Sequence, residues 1–106
     1  MPSKIKKILK EFKKELRRIY GEQLDSIILY GSQARGDARD DSDIDVLIVL
    51  KNDFNYSEML RLSSDYAAAL SLENDVVISR AFVAKEEFEH RQIPFLMNVR
   101  REGVRV

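Results

Sequence analysis

The chain has 106 residues, 18 Lys+Arg against 18 Asp+Glu, no cysteine and a formal net charge of zero. That length suits one domain, residues 1–106, with a core that needs no staples; the balanced charge gives no global field for nucleic acid, and the missing thiols exclude disulfides and thiolate metal sites. No apolar run approaches the roughly 18 residues of a membrane span, and the lysine-rich start has no apolar signal core, so the expectation is a cytoplasmic chain with no membrane partner and no direct nucleic-acid partner.

The first element is an amphipathic helix over Ser3 to Tyr20. Ile5, Ile8, Leu9, Phe12, Leu16 and Ile19 form its buried stripe, Ser3 is read as the N-cap and Gly21 as the stop. Its other face carries Lys4, Lys6, Lys7, Lys10, Lys13, Lys14, Arg17 and Arg18 against only Glu11 and Glu15. That is read as a solvated face of good helix formers, with docking of an acidic partner or RNA as the sharper alternative.

Leu24 to Tyr30 reads as the first strand, and Gly31-Ser32 opens a short helix that Gly36 ends. The polar return over residues 36–42 is too short for a parallel crossover, so the next strand, ending in Val46 to Leu50, is expected antiparallel to the first. After the loop Lys51 to Asn55, Asn55 and Glu58 make a capping box. The helix they open is expected to reach about Leu72 and to bury Met59, Leu60, Leu62, Tyr66, Ala69 and Leu70. Val76 to Ile78 is the expected third strand, parallel to the second because the crossover is long. A helix over Lys85 to Arg91 turns Phe88 inwards and has only Ala84 at its cap position. Pro94 starts a last helix, Phe95 to Glu102, with Gly103 as its stop. The pattern amounts to an α/β fold: a small mixed sheet of three main strands with helices packed on it. Val104 to Val106 and part of Phe95 to Met97 are expected to be exposed and to serve an interface, as a homodimer or a hetero-oligomer.

The chemistry gathers between the first two strands. Residues two apart on a strand share a face, so Asp43 and Asp45 aim both carboxylates one way while Ile44 enters the core. Two such carboxylates repel unless a cation lies between them, and a hard divalent ion, Mg²⁺ above others, suits all-oxygen ligands. The glycine of Gly31-Ser32 lets the backbone approach a phosphate closely, and the serine offers an N–H and a hydroxyl. The parallel third strand brings Asp75 to the same end of the sheet as a third carboxylate. Arg35 and Arg39 are read as ion-pair partners of Asp37, Asp40 or Asp41 rather than as phosphate ligands, although Arg35 is retained as a nucleotide-site candidate. His90, on a charged helix, is expected to be exposed.

Gly31-Ser32, ten intervening residues and then Asp43-Ile44-Asp45 resembles the signature of the DNA polymerase β-like nucleotidyltransferase superfamily. The fuller string GSQARGDARDDSDIDVLIVL and the ending PFLMNVRREGVRV are similar to the minimal nucleotidyltransferases that accompany HEPN toxins. The resemblance implies a nucleotidyltransferase using two Mg²⁺ ions and ATP. Asp43, Asp45 and Asp75 would be its catalytic and metal-binding acids, and Gly31 and Ser32, with Arg35 nearby, its nucleotide site. It also implies a HEPN-type toxin as the protein partner, modified with AMP on a hydroxyl, a tyrosine above others. The alternative is a binding module that neutralises its partner by occlusion.

Overall fold

The structure, a computed structural model, describes residues 1–39 and 42–106. Its helices are α1 (Ser3–Tyr20), α2 (Ser32–Arg35), α3 (Tyr56–Asn74), α4 (Lys85–His90) and α5 (Pro94–Glu102); its strands are β1 (Leu24–Tyr30), β2 (Ile44–Leu50), β3 (Ile78–Ala84) and β4 (Val104–Arg105). The sheet order is β3-β2-β1-β4. β1 is antiparallel to both β2 and β4, and β2 and β3 run parallel. This is the expected small mixed α/β sheet, with a fourth short strand that the apolar pattern does not mark. No helix among the described residues is long and apolar enough to cross a membrane.

Alternation along β1 and β2 divides the core between the two faces of the sheet. Ile27, Leu29, Ile44, Val46, Ile48 and Leu50 pack against Ile8, Phe12 and Leu16 of α1 and Met59 and Leu70 of α3. On the other face Ile28, Leu47, Val49 and Val83 meet Leu96 and Val99 of α5. Strands buried on both faces need near-continuous apolar runs, which is what Ile27 to Leu29 and Val46 to Leu50 supply.

The helix ends differ from expectation in instructive ways. Pro2, not Ser3, occupies the N-cap of α1, and no side chain caps that end. Asn55 does cap α3, accepting from the Glu58 N–H at 3.0 Å, and Ala84 gives α4 no side-chain cap. Gly103 ends α5 with φ −67°, an ordinary extended value. It is required for another reason: a Cβ there would lie 2.5 Å from both Ile28 Cγ2 and the Val99 carbonyl.

α3 is rotated relative to its apolar pattern. It buries Met59, Ser63, Ala67 and Leu70, while Ala69 is exposed, Leu62 is 42 % exposed and Leu72 87 % exposed. The cause is a polar strut between helix and sheet. Arg80 of β3 donates to the Leu60 carbonyl at 2.9 Å and to Ser63 Oγ at 2.7 Å. Tyr20 Oη donates to the Met59 carbonyl at 2.6 Å and lies 2.8 Å from Ser63 Oγ. Burial pulls the Arg80 pKa down and pushes that of Tyr20 up, so both groups require the acceptors that a buried Ser63 and the Leu60 and Met59 carbonyls provide.

β3 begins at Ile78 rather than Val76, and it runs on to Ala84. At the other end of the chain, Val104 is exposed as expected, as are Phe95 and Met97. Val106 departs from expectation: its N–H donates to the Ile27 carbonyl at 2.9 Å and its side chain packs on the core. If α3 sits in this rotation, Leu70→Ala should cost about 2–5 kcal/mol and Leu62→Ala well under that. Urea unfolding of the two variants checks it, and equal losses would restore the rotation suggested by the apolar pattern.

Candidate active site

β1 ends at Tyr30, directly opposite Asp45 in the antiparallel register. The chain then turns through Gly31 at φ +74°, a left-handed value that favours glycine, and enters α2. A Cβ on Gly31 would fall 2.5 Å from Asp45 Oδ2. The glycine therefore has two reasons to be there: its backbone angle and the carboxylate lying against it. Together they put the Gly31 turn against Asp45, as the short antiparallel return requires.

Asp43 is exposed and Asp45 half-buried. The Asp45 pKa is raised, first by burial and then by the charge of Asp43, with the Arg35 guanidinium pulling the other way. The two acids are thus near enough to repel. Two carboxylates at an open mouth suit a hard divalent cation with all-oxygen ligands.

Asp75 is placed differently from Asp43 and Asp45. It caps α3 in the left-handed conformation, φ +53°. In the β2–β3 ladder Ile44 pairs with Ile78 and Asp45 with Ser79, so Asp75 precedes the paired strand. It lines an open groove of about 640 Å³ with Ser42, Ala68, Leu72 and Val77. Ser42 precedes Asp43, so the groove adjoins the acid pair without including it. Among the described residues, no three His, Cys, Asp or Glu side chains come close enough to hold a metal ion together.

Arg35 is ion-paired, with Nε 3.3 Å from Asp37 and Nη1 3.6 Å from Glu102 of α5. Arg39 is exposed, and its expected partners Asp40 and Asp41 lie outside the described residues. His90 is exposed, near Glu89. The structure adds neighbours that sequence reasoning missed. Tyr30 shares the face of Asp45, and its pKa is raised by burial and then by that carboxylate. Phe95 meets Tyr30 edge-on, with ring centroids 5.3 Å apart. Period-two alternation, once the antiparallel register is granted, is the signal for Tyr30. Phe95 and Glu102 come from the far end of the chain and have no local signal.

Two outcomes follow from this geometry. Gly31→Ala should destabilise by about 1–3 kcal/mol, from its backbone angle and its collision with Asp45. Asp45 ionises at higher pH in the folded chain than in the unfolded one, so its contribution to stability falls as pH rises through that window. Asp45→Asn should therefore melt at or above the parent chain at pH 7 in a chelator, and lose that advantage as pH falls below about 4. Thermal melts across pH check both, and a deeply destabilised Asp45→Asn would make the acid a structural one.

A family model described as nucleotidyltransferase domain matches residues 9–101. A Methanocaldococcus jannaschii chain named "Putative protein adenylyltransferase MJ0604" is 41 % identical over 99 residues, covering 92 % of each chain. The protein adenylyltransferase MntA of Thermococcus cleftensis is 35 % identical over 74 residues, 70 % of this chain and 73 % of that one. A solved mutant of the MntA–HpeT toxin–antitoxin complex shares the fold, with TM-score 0.59 and 20 % identity over 92 % of this chain and 70 % of that one. Because the family model spans nearly the whole sheet and the Methanocaldococcus relative matches almost end to end, this chain belongs to the nucleotidyltransferase domain family and is a nucleotidyltransferase.

Proposed function

We propose that this enzyme transfers AMP from ATP to a hydroxyl of a protein partner, a HEPN-type toxin, and so acts as its antitoxin in the cytoplasm. The observation that carries the chemistry is the contact of Gly31 with Asp45, which sets the Gly31-Ser32 backbone against two repelling carboxylates. The choice of AMP and of a protein acceptor is supported by the names of the relatives, and the toxin partner by the toxin–antitoxin complex that shares the fold.

In the proposed reaction the acceptor oxygen attacks the α-phosphorus of ATP. The new O–P bond forms as the bond to the β-phosphate oxygen breaks, and pyrophosphate leaves. Asp43 and Asp45 would hold Mg²⁺, which when bound would neutralise charge on the phosphate oxygens. Ser32 and the neighbouring amides would hold the β- and γ-phosphates, and the Gly31 turn leaves room for them. Asp75, at the rim, would face the acceptor side and take the hydroxyl proton or complete the second ion's ligands. Arg35 would exchange an ion pair with Asp37 or Glu102 for phosphate.

Partner mass with and without ATP and Mg²⁺ tests the proposal. A gain of one or more AMP units, abolished by Asp43→Asn, is expected, whereas neutralisation of the toxin with no mass gain would make the chain an occluding binder. Asp75→Asn is a gentle variant, since asparagine tolerates the left-handed conformation. It should keep ATP binding and lose transfer; unchanged transfer would leave Asp75 a helix cap only. Ser32→Ala should weaken ATP more than AMP in calorimetry, because AMP lacks the two phosphates assigned to the serine. Equal losses would remove it from the phosphate site.

A further inference from the structure

Sequence reasoning treats the basic face of α1 and the last residues of the chain as rival surfaces, but the fold joins them. Lys6, Lys10 and Lys13 of α1 and Val104, Arg105 and Val106 line one groove of about 300 Å³, floored by Leu9. The groove continues past Lys13, Arg105 and Val106 into a second hollow of about 230 Å³ beside Arg17 and Ser26. The chain as a whole is neutral, so this concentration of cations is local. Among the described residues no carboxylate pairs with Lys6, Lys10, Arg17 or Arg105. The one acid in the second hollow, Asp25, lies 3.6 Å from Lys85.

β4 is also the outer strand of the sheet, with no further strand beside it among the described residues. Val106 gives its N–H to Ile27, so antiparallel alternation turns the N–H and carbonyl of Arg105 outward. An edge with an apolar floor and lysines along its flank matches an added strand that carries both apolar and acidic side chains. We infer that the groove between α1 and β4 is a docking site for an extended acidic segment of a partner protein. On the α1 side its apolar side chains meet Leu9, Val104 and Val106 and its carboxylates meet Lys6, Lys10 and Arg17, while a carboxylate on the opposite side meets Arg105, which shares the face of Ile28. Nucleic acid fits less well, because among the described residues no aromatic side chain lines the groove to stack a base and its floor is apolar. The inference does not depend on nucleotide transfer, and its test uses none.

The test selects a random-sequence peptide library against the full chain without nucleotide. Peptides that combine Asp or Glu with Val, Ile or Leu are expected, their binding shifting the amide resonances of Val104 to Val106. Lys6→Glu with Lys10→Glu, both exposed positions, should weaken the best peptide about tenfold or more and lower its salt dependence. Arg105→Glu serves as a second variant, with melting temperature confirming that each still folds. Selection of basic or purely apolar peptides, no selection at all, affinity unchanged by the reversals, or tighter binding of a single-stranded oligouridylate would each overturn the proposal.

Discussion

The antiparallel pairing of β1 and β2 is the constraint from which the rest follows. It opposes Tyr30 to Asp45, and the chain leaves Tyr30 through a residue with no room for a Cβ. One register therefore aligns the two most apolar strands and brings the Gly31-Ser32 turn against the acid pair. A slip of one residue would turn Asp45 into the core and Val46 out of it. The hydrophobic burial that holds the core thus also holds the site in register, although neither acid contributes to that burial.

The site itself is not at rest. Asp45 is raised by burial and by Asp43, and Arg35 offsets only part of this while engaged with Asp37 and Glu102. A cation between such carboxylates relieves their repulsion, so binding one there stabilises the cluster. The C-terminal part of the chain is tied to this region as well. Glu102 reaches Arg35 from the end of α5, Phe95 packs on Tyr30, and Gly103 allows the chain to pass Ile28 closely enough for β4 to pair.

On the opposite face, polar groups rather than apolar ones decide how α3 lies. Arg80 and Tyr20 need acceptors, and the fully buried Ser63 is one. Satisfying them turns Leu62 and Leu72 towards solvent. Leaving two partly buried donors without acceptors costs more than leaving a leucine exposed, so the polar requirement prevails.

The sequence by itself determined whatever depends on local pattern. Alternation and β-branched runs marked β1 and β2, helical periodicity marked α1, Asn55 and Glu58 marked the start of α3, and the short return after Ser32 made the first two strands antiparallel. It also determined that the Gly31 turn meets Asp45, because both lie on or between those two strands. Tertiary structure decided what depends on partners distant in the chain. It set the rotation of α3 through Arg80, the later start of β3 and with it the place of Asp75 as a helix cap, and the approach of Phe95 and Glu102 to the site. The union of the basic helix face with the edge of β4 was its decision too. In each case the deciding energy is a contact between side chains far apart in sequence, and no local pattern records which of several apolar or charged faces that contact will claim.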